Sequence, residues 1–298
     1  MDVAGASGFK ELILLVLQLS VFCMVFGFGL DTTLGDMLYV IRRPGLFARS
    51  LIAMFVIMPA VAVTLVSLFN FRHVVGIALV ALSISPVPPL LPKREGEAGG
   101  RQPYALGLMA LLALLSVVIV PGAVEVLKLF AHRPLEMATI AVARAVLTTA
   151  LVPLAAGWLV RTLLPAASPR IGAFVMRVAW VLLALGIVVL LAANLSAFWA
   201  LVGNGTLAAM TLFIGAALVV GHVLGGPDPD HAVVLALSNA CRHPAVAVTI
   251  ASANFRDERF GTTVLLYVVM NVTLCIPYVL WQRRRIRRPE GTASRELT

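Results

Sequence analysis

Residues 83–100 read SISPVPPLLPKREGEAGG, and residues 238–251 read SNACRHPAVAVTIA. Both interrupt apolar runs that are otherwise suited to cross a bilayer. In the first, Pro86, Pro88, Pro89 and Pro92 fall within seven residues. Each proline removes a backbone donor and pushes the residue before it out of the α region, so the chain should be extended here, near membrane depth. In the second, Pro244 would leave the carbonyl of Ala240 without its helical donor if the helix continued. Irregular backbone inside a bilayer is tolerated only where protein buries it or where it lines a watery cavity. Paired broken segments in two halves of a chain point to a transporter's binding site.

The surrounding sequence supplies the membrane domain. Of 298 residues, 60% are hydrophobic and 12% charged, with a mean hydropathy of +0.99. That apolar majority, at ~20 residues per crossing, corresponds to about nine spanning helices. Apolar segments run at about 10–30, 46–69, 73–91, 104–130, 136–160, 172–195, 199–222, 231–254 and 260–281. A soluble domain, a disordered chain and a collagen-like chain are all excluded by this composition. The linkers are short apart from 31–45 and 92–103, so the expectation is a single all-α polytopic membrane domain over 1–298. The first segment does not read as a cleaved signal peptide: Asp2, Lys10 and Glu11 make a poor basic flank, and it ends in GFGLDTT. The broken segments are third of the first four and fourth of the remaining five. A missing first helix would make them equivalents in an inverted repeat.

The formal charge of +9 is distributed unevenly. If the nine segments alternate sides, the side of the C-terminus carries Arg42, Arg43, Lys93, Arg94, Arg101, Arg161, Arg170 and the six arginines of the tail at 282–298. The other side carries Lys10, Arg72, Lys128, Arg133, Arg256 and Arg259. The positive-inside rule then places the C-terminus in the cytoplasm and the N-terminus outside, in a plasma (inner) membrane. The tail is topogenic and suited to anionic lipid; no basic surface domain interleaved with aromatics supports a nucleic-acid partner. Cys23, Cys241 and Cys275 lie in apolar stretches without CxxC or Cys/His spacing and read as small buried residues rather than metal ligands.

Three pieces, FGFGLDTTLGDMLYVIRRPGLFARSLIAMFVIMP at 26–59, the SISP entry at 83–86 and SNACRHPAVAVTIA, resemble the bile acid:sodium symporter superfamily in content and order. The resemblance implies two inverted repeats of five helices, here without the first. It also implies two broken helices crossing near the midplane and alternating access around a crevice. On that pattern core helices cover about 46–130 and 199–281, and a panel covers about 10–30 and 136–195.

The resemblance brings in sodium, but the ligand positions are altered. A polar Gly/Thr/Ser/Asn block at the first crossing is replaced by VPPLLP (87–92). Hydroxyls on the next helix are replaced by ALGLMALLALL (105–115). A carboxylate and a glutamine four residues apart fall on Ser238 and Arg242. A hard cation wants several oxygen ligands, and an arginine in its shell repels it, so transport is expected not to need sodium.

Arg242 lies eleven residues past His231, or ~16 Å at ~1.5 Å per residue, about half of a ~30 Å core. A charge there is expensive unless paired or hydrated. It reads either as an anion-binding or gating charge, or as a structural partner of Glu95, Glu97 or carbonyls freed by the prolines. Ser238 and Arg242 are one helical turn apart, as are Asn239 and His243. His243 is a candidate proton carrier or a satisfied buried histidine. Ser85 and Arg144 complete the candidate substrate or gating set; Arg144 reads alternatively as paired with an acidic neighbour such as Glu125. The charges Lys93, Arg94, Glu95 and Glu97 line a watery vestibule if the crossing continues as a helix, and form an ordinary loop otherwise. Ser83, Asn194 and Asn271 are polar positions on apolar helices, suited to helix-to-helix hydrogen bonds. No HExxH, GxSG nucleophile or intramembrane aspartate pair suggests an enzyme, no P-loop is present and no cofactor is implied. The reading is a secondary transporter of a small organic anion or amphipathic solute; the alternative is a membrane receptor or non-transporting scaffold.

Overall fold

A computed structural model describes residues 3–69, 71–88, 91–130, 144, 147–193, 195–201, 203, 205–244, 246–248 and 259–287. Pro89, Asn194, residues 136–143 and the tail beyond 287 therefore lie outside the described residues. The described secondary structure is helical: α1 (Val3–Asp31), α2 (Leu34–Ile41), α3 (Pro44–Leu68), α4 (His73–Ile84), α5 (Leu91–Glu97), α6 (Gln102–Phe130), α7 (Leu147–Leu163), α8 (Ser168–Ala193), α9 (Leu195–Leu201), α10 (Thr206–Leu224), α11 (Pro229–Ala240) and α12 (Arg259–Arg287). Among the described residues five helices are long and apolar enough to span a bilayer, and six if the α1–α2 pair, bent by 81°, counts as one span. The chain is thus an all-α polytopic membrane protein. The difference from nine expected segments has identifiable sources: α4 and α7 are apolar but shorter, α11 stops after 12 residues, and part of the fifth segment lies outside the described residues.

Local sequence explains the joints. After Asp31 the backbone turns and Thr33 opens α2 with a reciprocal cap. Asp36 N–H donates to Thr33 Oγ1 at 3.2 Å, and Thr33 N–H donates to Asp36 Oδ2 at 2.8 Å, satisfying donors that a helix start leaves unpaired. The Arg42-Arg43-Pro44 turn begins α3 with proline in its first turn, where the missing N–H is harmless. Further along α3 one wide turn, Ala53–Ile57, precedes Pro59: Met58 N–H bonds Ala53 O rather than Met54 O. The next ring nitrogen is Pro59, which cannot donate, so Met54 O is left without a helical donor.

Two packing groups follow. α1 lies chiefly against α7 and α8, while α2 to α6 and α10 to α12 enclose the main apolar core around Leu79, Leu82, Tyr104, Phe213 and Tyr267. Val25 and Phe28 of α1 and Leu154 of α7 meet Met109 and Ala113 of α6 where the groups touch. Arg161 of α7 donates through Nη1 to Leu30 O at 2.6 Å and Asp31 O at 3.1 Å, capping the carbonyls at the end of α1. Large apolar side chains elsewhere face outward, including Val118, Phe174 and Val219, each more than 60% exposed. In this composition such a surface is a lipid-facing one.

The α1–α7 contact is backbone on backbone. A Cβ on Gly157 would stand 2.9 Å from Gly29 Cα, and one on Gly29 would stand 2.9 Å from Gly157 Cα. Small residues that let helices approach this closely substitute for a hydrophobic driving force inside lipid. Gly157→Ala is expected to push α1 from α7 and lower stability by about 1–3 kcal/mol, the scale of overpacking. Gly215→Ala, where nothing lies within 4 Å, is expected to be tolerated; thermal unfolding of both variants in detergent checks the contrast.

Candidate functional site

The first proline stretch ends α4. Ile84 is its last residue, Ser85 is extended (φ −74°, ψ 148°), and helix resumes at Leu91. The second ends α11 at Ala240, with Cys241 extended (φ −91°, ψ 123°). One backbone hydrogen bond joins these ends: His243 N–H donates to Pro86 O at 2.8 Å. The bond takes His243 N–H away from Asn239 O, its acceptor in a continuing helix, and Pro244 has no N–H for Ala240 O. The joint therefore holds a set of carbonyls that their own helices cannot satisfy.

Arg242 supplies much of what is missing. Its side chain is 2% exposed. Nε donates to Asn239 O at 3.1 Å, Nη1 to Ser85 O at 3.3 Å, and Nη2 to Met54 O at 3.2 Å and to Asn239 Oδ1 at 3.0 Å. One guanidinium thus ties α3, the end of α4 and the end of α11. Among the described residues its acceptors are all neutral oxygens, and neither Glu95 nor Glu97 is one of them. Asn239 relays the network by donating through Nδ2 to Ala217 O of α10 at 2.9 Å. Ala240 O receives Tyr267 Oη–H at 2.5 Å and Asn271 Nδ2–H at 2.9 Å, both from α12. Asn271 Oδ1 in turn accepts from Cys241 Sγ at 3.0 Å.

The remaining candidates separate. Ser238, next to Asn239 in the chain, turns to a different partner: its hydroxyl donates to Glu95 Oε1 of α5 at 2.6 Å. Glu95 is buried, whereas Glu97, two residues on and on the opposite side of α5, is exposed and pairs with Arg283 of α12 at 3.1 Å. The Lys93–Glu97 run is thus helical, with Arg94 half-buried. Ser85 is buried, with its hydroxyl turned back to Leu82 O at 2.8 Å. His243 is buried, and neither ring nitrogen has a hydrogen-bond partner. Pro88 O accepts from Leu91 N–H at 3.4 Å, and Pro92 O accepts from Gln102 Nε2 at 3.2 Å. Pro244 is half-buried next to the joint. Arg144 is exposed, its carbonyl accepting from Thr148 Oγ1 at 2.9 Å.

Apart from Pro92, sequence reasoning does not single out the wall of a cavity of about 590 Å³ between the two packing groups. It is lined by Phe28 and Asp31 of α1, Pro92 of α5, Gln102 and Leu106 of α6, and Arg177 and Trp180 of α8, among others. The signal was present in Arg177, a cation nine residues into an apolar helix. At the exposed start of α11, Asp230 bonds Arg101 Nε at 2.5 Å and holds its guanidinium charge more firmly than usual, raising its pKa. Beside it Asp228 faces His231 Nδ1 at 3.1 Å, and His231 Nε2 lies 2.7 Å from Tyr39 Oη.

The family model described as Sodium Bile acid symporter family matches residues 18–201, which is 184 of the 298 residues and includes the first proline break. No curated protein matches the chain. Among the described residues no group of three or more His, Cys, Asp or Glu is placed to hold a metal ion.

The acceptors around Arg242 predict a structural cost for its removal. Arg242→Ala leaves Met54 O and Ser85 O without these donors, at about 1–3 kcal/mol each for an unpaired buried group. Arg242→Lys, with one ammonium instead of a planar fork, cannot reach all of them and is expected to fall between. Thermal unfolding in detergent measures the order parent, Lys, Ala; unchanged stability of Arg242→Ala would show that the guanidinium does not hold the joint.

Proposed function

We propose, from the premise that the chain belongs to the Sodium Bile acid symporter family, that it is a secondary transporter moving a small organic anion or amphipathic solute by alternating access. The family is one of transporters, not enzymes. The observation that carries the reading is the cavity between the packing groups, whose wall includes Pro92 beside the first break and the cation Arg177. Apolar side chains with a few convergent polar groups suit an amphipathic solute, and a guanidinium suits carboxylate, sulfonate or phosphate.

On this reading the two breaks are crossing helices of an inverted repeat. α3 to α6 and α10 to α12 form the core, and α1, α7 and α8 belong to the panel that moves against it. With the C-terminus cytoplasmic, as the basic residues suggest, the cavity opens inward. Arg242, Asn239, Ser238, His243 and Ser85 form the joint behind the cavity, and the buried positive charge of Arg242 biases it toward anions.

Sodium coupling is not needed in this scheme. A diffusible cation at the crossing would have to displace a guanidinium from carbonyl oxygens, the ligand type sodium itself requires. The receptor or scaffold reading rests on the same fold and differs in one measurement, solute flux.

Purified protein in proteoliposomes is therefore expected to take up organic anions, with taurine, benzoate and a dihydroxy bile acid as probes of different apolar area. Flux should be the same when choline replaces sodium at constant ionic strength, and Arg177→Gln should lower it at least several-fold without changing the unfolding temperature. A rate that rises with sodium overturns the coupling reading; no flux with any probe favours the receptor or scaffold.

A further inference from the structure

Glu95 has no role in the joint's carbonyl network, yet it is 1% exposed. An ionised carboxylate out of water costs several kcal/mol unless a countercharge or several donors compensate it. Its one described hydrogen-bond partner is a neutral hydroxyl, Ser238 Oγ–H at 2.6 Å, and it forms no ion pair with the described residues. Three cations of the surrounding elements are committed elsewhere: Arg242 to the four oxygens above, Arg101 to Asp230, and Arg283 to Glu97. From the elements packed on α5, the titratable groups whose fields reach Glu95 are Tyr104 of α6, whose hydroxyl shares a hydrogen bond with Ser50, and Cys241 after α11. Neither is a cation at neutral pH. Arg94 adjoins it on α5, and Arg242 and His243 follow Cys241.

Access to water is short. Pro92, three residues before Glu95 and about 4.5 Å along the helix axis, lines the cavity together with Gln102, which bonds its carbonyl. We propose that Glu95 is a proton-binding site at the first break. It takes a proton from water in the cavity and returns it to water when α5 moves. This inference rests on the transporter reading only for its consequence, that the proton is the coupling ion; the binding site stands on burial, partner and access. A carboxylate can change its charge within a cycle, which the guanidinium of Arg242 cannot.

Infrared titration of the protein in lipid nanodiscs, without solute, tests the site. At neutral pH the parent is expected to show the carbonyl band of a protonated carboxyl, absent in Glu95→Gln and retained in Glu97→Gln. Ser238→Ala, which removes the donor to the charged form, should shift that band and move its titration to higher pH. A parent spectrum matching that of Glu95→Gln across the titration overturns the proposal. So does disappearance of the band when sodium replaces choline, which would make Glu95 a metal ligand. Because no solute is present, failed transport in proteoliposomes and a missing band are separate results.

Discussion

Inside a bilayer every backbone carbonyl must find a donor within the protein, and at the joint four carbonyls are denied one by the chain's own sequence. Pro59 withholds the donor for Met54, the proline stretch after Ser85 withholds another, and Pro244 withholds the donor for Ala240. The turn of His243 toward Pro86 strands Asn239. The structure around the joint is arranged to answer them. Arg242 reaches three, and Tyr267 and Asn271 of α12 reach the fourth. Had these donors been absent, each unsatisfied group would cost about 1–3 kcal/mol, a sum comparable with the stability of a domain. The polar side chains buried here follow from the prolines.

A guanidinium is well suited to this task because its donors lie in one plane and point several ways at once. Met54, Ser85 and Asn239 approach from three separate elements, and a single side chain holds all three without an anion. That makes the joint a rigid node. On the proposed transport cycle, motion is then easiest where the panel meets the core, since α1 and α7 touch α6 through the apolar side chains of Val25, Phe28 and Leu154. Apolar contacts without fixed hydrogen-bond geometry can slide, whereas the Arg242 network would have to break as a unit.

Much of this was legible in the residues. The density of prolines at 86–92 placed the end of α4, and Pro244 identified Ala240 O as an acceptor in need. The depth of Arg242 requires partners, and the carbonyls freed by the prolines are among those it can take. Asn271, read as a helix-to-helix hydrogen bonder, reaches Ala240 O. Other features depend on rotation and distance, which composition does not carry. Glu95 and Glu97 look alike in sequence, but α5 turns one inward to Ser238 and the other outward to Arg283. Pro59 alone points to Phe55, four residues back, as the stranded carbonyl; the wide turn at Ala53–Ile57 moves the orphan to Met54, and neither that shift nor the side chain that answers it, 188 residues away in sequence, is legible in the residues. Arg177 is not legible in this way, because its significance comes from α8 facing α1, α5 and α6 across a cavity.

The two buried charges near the joint have different physical capacities. Arg242 is tethered and stays protonated across the physiological range. It can fill the electrostatic place of a bound cation, but it cannot dissociate to either side, so it cannot convert a gradient into work. A cycle that concentrates solute needs a group whose charge differs between its two ends. Glu95 meets that requirement: it is buried, nearly unpartnered, and close to the cavity through Pro92. Ser238, near the end of α11, links the carboxyl to the same helix end that the guanidinium ties down. A proton gained or lost at Glu95 would therefore change the net charge beside a fixed cation, so that proton binding and anion binding favour one another through the field alone. Such linkage is reciprocal by thermodynamic necessity, and it requires no direct contact between Glu95 and the solute.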